Sequence, residues 1–274
     1  MAISTPLAKD RAGGMTSPIR YLLLSDVHAN RPALEAVMRD AKTKGEFTAI
    51  YHLGDLVGYA PWPNEVIAMI QSAGIAGVAG NYDSTVATGY THCGCRSENA
   101  RQEELAHRSF SWTIAHTSES SKRFLRSLPF RLDVRPFGGH QAGPTIRLLH
   151  GNQVLNTVYL TEDRSDDFLA RMAEGVGAKA GDLIAFGHTH KPWHRLVHDV
   201  HFVNTGSVGR PKDGDPRAGY VLLDVTHSGI AVEFVRIGYD VEETARAILA
   251  SELPDEFADF LRSGGNAAGP MDGA

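Results

Sequence analysis

The strongest constraint on this chain is a set of short apolar runs, each ending at a polar residue. Ile19–Leu24, Ala49–Leu53, Gly77–Ala79, Thr145–Leu149, Leu183–Phe186 and His201–Val203 have strand length and aliphatic or β-branched content. Near-continuous apolar runs of this kind suit strands buried on both faces. Such strands need covering layers, and the segments between them supply helical patterns. Pro32–Lys44 carries Leu34, Val37, Met38 and Ala41 at helical spacing. Pro63–Ser72 opens on proline, with Asn64 the expected N-cap. Ser97–His116, Ser118–Leu128, Thr161–Glu174 and Val241–Leu261 also read as helices.

Strands alternating with helices argue an α/β fold. Two later β patterns, Tyr220–Val225 and Ile230–Arg236, depart from a purely parallel sheet and imply a second, mixed one. The expected organisation is a flexible leader over 1–17, one domain over 18–262 and a disordered tail over 263–274. A mostly helical insertion is expected at about 84–129.

Composition enters mainly by exclusion. A net charge of -5 over 274 residues, with no run of Lys or Arg, argues against duplex nucleic acid as partner. No apolar stretch approaches the roughly 20 residues of a membrane helix. The N-terminal residues lack the apolar core of a secretory signal. The two cysteines, Cys93 and Cys95, are spaced poorly for a disulfide framework, so a reduced, cytoplasmic setting is expected. Oligomeric state is not legible.

The residues that end the runs carry the functional signal. The run from Ile19 leads to Asp26 and His28, and that from Ala49 leads to Asp55. Gly77–Ala79 leads to Asn81 and Asp83, Thr145–Leu149 to His150, and Leu183–Phe186 to His188 and His190. Singly, each has an ordinary structural reading: a helix cap, a turn, a surface or half-buried histidine. Together they place metal-capable side chains just past the C-terminal ends of five strands, where open α/β sheets bind ligands. Gly54, Gly80, Gly151 and Gly187 beside them permit tight turns and close approach. Carboxylate, amide and imidazole ligands without thiolate favour Mn, Fe, Co, Ni or Zn. Seven ligands exceed what one catalytic ion with an open position takes, so two divalent ions sharing a carboxylate fit the count.

The stretches "DVH", "GDLVG", "GNYD", "HG" at 150–151 and "GHTH", in this order, resemble the calcineurin-like metallophosphoesterase superfamily. "GYAPWPNEV" and "FVNTGSVGRP" are similar to its compact prokaryotic phosphodiesterase branch. The likeness covers roughly 19–240 and implies an α/β fold: a two-sheet mixed β-sandwich with helices outside. It implies one ion on Asp26, His28 and His190, a second on Asn81, His150 and His188, and Asp55 bridging them. Manganese is the foremost expectation for both. A metal-bridging hydroxide would attack phosphorus. The family usually has His after the metal-binding Asn, donating a proton to the leaving oxygen. This chain has Tyr82, a weaker acid that can still donate a hydrogen bond. Asp83, which in the family orients that His, is left with a turn or a contact behind the ligands.

Other candidates have weaker signals. Arg210 could hold a phosphate oxygen through its planar fork, and Asn30 could touch substrate or cap a turn. Tyr59 and Trp62 could stack a base or aryl group, with apolar cover the alternative. His52, inside an apolar run, reads as a core histidine, and His92–Cys95 offers too few ligands for a closed structural metal site. The functional expectation is a dinuclear metal-dependent phosphoesterase favouring phosphodiesters, its substrate a phosphate ester of possible nucleotide origin. The rivals are a protein Ser/Thr phosphatase, a dinucleoside polyphosphate hydrolase, and a non-catalytic scaffold of the same fold.

Overall fold

A computed structural model describes residues 17–94, 99–138 and 143–265. Most of the expected leader and tail, and Cys95, lie outside the described residues. Among the described residues, ten strands form two five-stranded mixed sheets. The first holds β1 (Ile19–Leu24), β2 (Ala49–His52), β3 (Ala76–Gly77), β9 (Ala218–Thr226) and β10 (Gly229–Ile237), in the order β10-β9-β1-β2-β3. Its β1, β2 and β3 run parallel, while β9 and β10 join as an antiparallel hairpin. The second holds β4 (Leu132–Val134), β5 (Ile146–Leu148), β6 (Leu183–Phe186), β7 (Trp193–Val197) and β8 (Val200–Asn204), in the order β4-β5-β6-β8-β7. Its parallel centre, β5-β6-β8, is flanked by antiparallel edges β4 and β7.

The continuous apolar runs follow from this layering. Alternate residues face opposite ways along a strand, and here both directions are covered. Tyr21 and Leu23 of β1 and Val221, Leu223 and Val225 of β9 meet Ile146, Leu148, Leu183, Ala185 and Val203 of the other sheet. The intervening Leu22 and Leu24 face Leu34 and Val37 of α1 (Arg31–Ala41) and Val66 and Ile67 of α2 (Pro63–Ser72). On the far side Ile184, Phe186 and Phe202 lie beneath Leu169 and Met172 of α6 (Asp166–Gly175). Leu22, Leu23 and Leu24 are each 0% exposed, and full burial of such a side chain stabilises by about 1.5–3 kcal/mol. Strands β4 and β7 went unseen in the sequence because exposed residues interrupt their apolar positions. His194 and Leu196 of β7 are exposed, which breaks the apolar run.

Between β3 and β4 the chain is helical, in α3 (Asn81–Thr88), α4 (Ala100–His116) and α5 (Glu119–Ser127). Helix α2 corrects one expectation. Its N-cap is Trp62, with Pro63 at the first helical position, and Asn64 instead ties α4 to α5. The Asn64 amide donates to the His116 carbonyl (2.8 Å) and accepts from the Ser118 N–H (2.9 Å). The single helix expected over Val241–Leu261 is two, α7 (Val241–Leu249) and α8 (Glu256–Arg262). Pro254 lies between them and cannot continue a helix. Leu105 of α4 joins Ile248, Leu253, Phe257 and Leu261 in a separate apolar cluster against Tyr59. Among the described residues no helix is long and apolar enough to cross a membrane.

Candidate metal centre

The C-terminal ends of β1, β2, β3, β5 and β6 converge, and the loops leaving them are laced together by backbone hydrogen bonds. Asp26 N–H donates to the Gly54 carbonyl (3.0 Å), His28 N–H to Asp55 (3.0 Å), and Gly187 N–H to His150 (3.0 Å). The lacing holds side chains in backbone conformations that ordinary residues avoid. Asp26, His28, Asp55, His188 and His190 have φ of 53°, 48°, 53°, 67° and 60°. A non-glycine residue in this left-handed region costs about 1–2 kcal/mol, so the surrounding contacts must over-determine it, a pattern that clusters at functional sites.

Each loop turns its side chain inward, and two ligand clusters result, both buried. Asp26, His28 and His190 offer three ligand atoms within 4.8 Å of one another, and Asp55, His150 and His188 offer three more. In the first, His28 Nε2 lies 3.1 Å from His190 Nε2, which is 3.2 Å from Asp26 Oδ1. Asp55 joins the clusters. Its Oδ1 accepts from the Tyr82 N–H (2.9 Å), leaving Oδ2 3.4 Å from His150 Nε2 and 3.8 Å from His28 Nε2. One carboxylate oxygen thus faces both groups. Asn81 completes the second, its Oδ1 3.1 Å from His150 Nε2 while its amide nitrogen donates to the Cys93 carbonyl (3.0 Å).

The donor set fits divalent cations. Nδ1–H of His28, His150 and His190 donates to the carbonyls of Val57, Leu53 and Arg210, at 3.0, 2.7 and 2.5 Å. Each bond leaves Nε2 as the inward nitrogen, the usual way a metal-binding imidazole is oriented. Two buried ligand atoms, Asp26 Oδ1 and His188 Nε2, have no hydrogen-bond partner, and an unsatisfied buried polar atom is costly unless an ion meets it. Burial, reinforced by His190, lowers His28 to about 3. Burial and the nearby His150 lower His188 to about 3. His190 is pushed well below the usual range by burial and by Lys212. These three imidazoles are therefore neutral at pH 7, the form that coordinates. Burial works against the His150 cation too, but the Asp55 carboxylate prevails and raises it to about 9. Asp55 is correspondingly lowered, its burial outweighed by His150.

The other expected residues divide. Asp83 is 0% exposed and accepts from the N–H groups of Leu56 (2.9 Å) and Gly80 (3.0 Å), capping α3 and tying it to the Asp55 loop. Burial and the Asp55 charge raise it to about 7. Tyr82 sits edge-on to His28, ring centroids 5.7 Å apart, and against Tyr59 and Phe110. Its hydroxyl is buried without a hydrogen-bond partner, and burial raises its pKa well above 10. Asn30 takes the capping role, one of its two expected readings. Its Oδ1 accepts from Ala33 N–H and the Thr244 hydroxyl, and its amide donates to the Gly209 carbonyl and the Tyr239 hydroxyl. All its hydrogen-bonding capacity goes to capping α1 and anchoring the loop after β8 and the C-terminal segment, which leaves nothing for substrate.

Arg210 is 8% exposed and lies next to the first cluster, its carbonyl receiving the His190 N–H. Its guanidinium lies 3.9 Å from the Tyr59 ring centroid and 3.8 Å from that of Phe260. Arg210 thus covers one face of Tyr59, and Arg31 lies 4.9 Å from the Trp62 ring centroid. His52 is buried as a core histidine, although its Nε2 has no partner. Cys93 is disulfide-bonded, contrary to the reduced thiol expected. Sequence reasoning missed Tyr159 and Lys212, which line the cleft with His28, Asp55, Tyr59, Tyr82, His188 and His190. Both lie in loops without a motif, so only the fold brings them in.

Residues 19–228 match the model of the calcineurin-like phosphoesterase superfamily domain. The chain belongs to this superfamily. Uncharacterized protein MJ0912 of Methanocaldococcus jannaschii is 29% identical over 256 residues, covering 87% of this chain and 96% of the relative. The crystal structure of a metallophosphoesterase from Sphaerobacter thermophilus is similar at 27% identity and a TM-score of 0.68, covering 90% of this chain and 99% of that one. Hypothetical protein PH1004 from Pyrococcus horikoshii shares the fold at a TM-score of 0.75 and 22% identity, covering 90% and 98%. The two mixed sheets with helices outside are the metallophosphoesterase fold, and the paired Asp/His clusters fit its dinuclear centre.

Proposed function

We propose that this protein is a dinuclear metal-dependent phosphoesterase and that it favours phosphodiesters. The observation that carries the reading is Asp55 Oδ2, which faces a ligand cluster on either side, 3.4 Å from His150 Nε2 and 3.8 Å from His28 Nε2. Two divalent ions, manganese foremost, with Fe, Zn, Ni or Co as alternatives, would supply Lewis acidity toward phosphoryl oxygens and an activated water. Asp26, His28 and His190 would hold one ion, Asn81, His150 and His188 the other, and Asp55 both. Arg210 and Lys212 add positive charge at the cleft, suited to the oxygens of a phosphate ester. Tyr59, Tyr82 and Tyr159 line the cleft.

The preference for diesters rests on Tyr82. A buried phenol with a raised pKa is a poor proton donor, and general-acid help is worth about 10²–10⁴-fold. Its loss weighs most on substrates with poor alkoxide leaving groups. A side-by-side assay of the Mn²⁺-loaded protein on bis-p-nitrophenyl phosphate, p-nitrophenyl phosphate, cyclic nucleotides and dinucleoside polyphosphates tests this. Faster turnover of diesters is expected, and monoester turnover faster by orders of magnitude overturns the preference. No hydrolysis of any ester, with Mn²⁺ bound, would make the protein a scaffold.

A further inference from the structure

Arg210 is a buried cation that forms no hydrogen bond or ion pair through its guanidinium among the described residues, yet it is held from every side. Its N–H donates to Ser207 Oγ (2.7 Å) and its carbonyl accepts from His190 Nδ1 (2.5 Å), so the backbone is pinned to the first ligand cluster. Its guanidinium is clamped between two aromatic faces, Tyr59 at 3.9 Å and Phe260 at 3.8 Å, with Phe257 at 5.6 Å. The three parts of this clamp come from distant segments. Tyr59 lies on the loop after β2, at φ 65°, its N–H bonded to Ser109 Oγ of α4 (3.1 Å). Phe260 is on α8, and the chain just beyond α8 is fastened to the loop after Arg210 by the Gly214 N–H and the Gly264 carbonyl (2.9 Å). A guanidinium sandwiched in this way keeps its planar edge, with its N–H donors, for an anion.

We infer that Tyr59 and Phe260 are positioning residues for Arg210. The C-terminal helix α8 is then part of the substrate site, because its ring aims the guanidinium at the anionic oxygens of a phosphate group beside Asp26, His28 and His190. This inference rests on the phosphoesterase reading for its kinetic test but not for its binding test. Purely apolar cover would be served as well by leucine as by phenylalanine, whereas an aromatic clamp would not.

The experiment uses the full chain loaded with Mn²⁺ and compares wild type, Arg210→Ala, Phe260→Leu, Phe260→Tyr and the double variant Arg210→Ala with Phe260→Leu. Inorganic phosphate binding is read by calorimetry, and kcat and KM on the best ester by steady-state kinetics. Phe260→Leu is expected to weaken phosphate binding and raise KM about tenfold, with kcat changed less than about threefold. Phe260→Tyr should restore both, and the double variant should be no worse than Arg210→Ala alone. Unchanged phosphate binding in Phe260→Leu, or an additive double variant, overturns the inference. If wild type hydrolyses no ester yet its phosphate binding depends on Phe260, the clamp stands and the phosphoesterase reading falls. If wild type hydrolyses esters and Phe260→Leu is silent, the reverse holds.

Discussion

Replacing Gly80 with alanine tests whether the two-cluster geometry depends on a close backbone approach. Gly80 has φ -79° and ψ 177°, which alanine adopts without strain, so any effect must be steric. An added Cβ would lie 2.7 Å from Asp55 Cγ, and nearer still to that residue's backbone nitrogen and Oδ1, where ordinary contact begins at 3.4 Å. Asp55 or the start of α3 must therefore retreat by more than an ångström. Gly54 stacks on the same spot, its own added Cβ 2.6 Å from Gly80 Cα, so the loop has no room to give. Overpacking of this kind costs about 1–3 kcal/mol. Displacing the carboxylate that faces both clusters should weaken Mn²⁺ binding about 10–100-fold and lower kcat about 100-fold. Calorimetric titration with Mn²⁺, ester hydrolysis and urea unfolding read the three effects. Gly229→Ala is the control, since a Cβ there meets nothing within 4 Å. Wild-type Mn²⁺ affinity and turnover in Gly80→Ala would refute the claim that this approach sets the position of Asp55.

Three further outcomes are expected. Asp55→Asn and His150→Ala should each abolish hydrolysis while leaving the far-UV circular dichroism unchanged, and full activity in either sinks the ligand assignment. Removing metal with a chelator should lower Tm, and restoring Mn²⁺ to 100 times its Kd should recover about 2.7 kcal/mol per site; a Tm indifferent to Mn²⁺ argues against a bound pair. Away from the site, Asp182 is paired with buried Arg147 (2.7 Å) and accepts from the N–H groups of Thr145 and Lys179. Asp182→Ala should destabilise by about 3–5 kcal/mol in urea unfolding, with activity per folded molecule unchanged.

Much of this protein is readable from the chain because the signal is local. A strand buried on both faces must be apolar at consecutive positions, so β1, β2, β5 and β6 announce themselves, and the ligands stand within a few residues of their ends. Edge strands β4 and β7 escape because half their side chains face water. Helix α3 escapes because Gly80, Asn81 and Asp83 carry turn chemistry, and that chemistry is also what starts a helix: the Asp83 carboxylate accepts the Gly80 N–H as its cap. In the same way Asn30 and Asn64 have the right residue type for several roles, and only their partners decide among them.

The identities of the seven metal-capable residues, and the departure at Tyr82, are properties of the sequence. Which oxygen of Asp55 faces both clusters, which nitrogen of each histidine points inward, and where the Tyr82 ring lies depend on loops that meet only when two sheets stack. The Arg210 clamp is the clearest case. Residues 59, 210 and 260 are far apart along the chain, Phe260 lies outside the stretches that carry Tyr59 and Arg210, and cation–π attraction acts only at contact distance. No local periodicity can encode such a meeting, so it was left to the tertiary structure to bring two aromatic faces to one arginine.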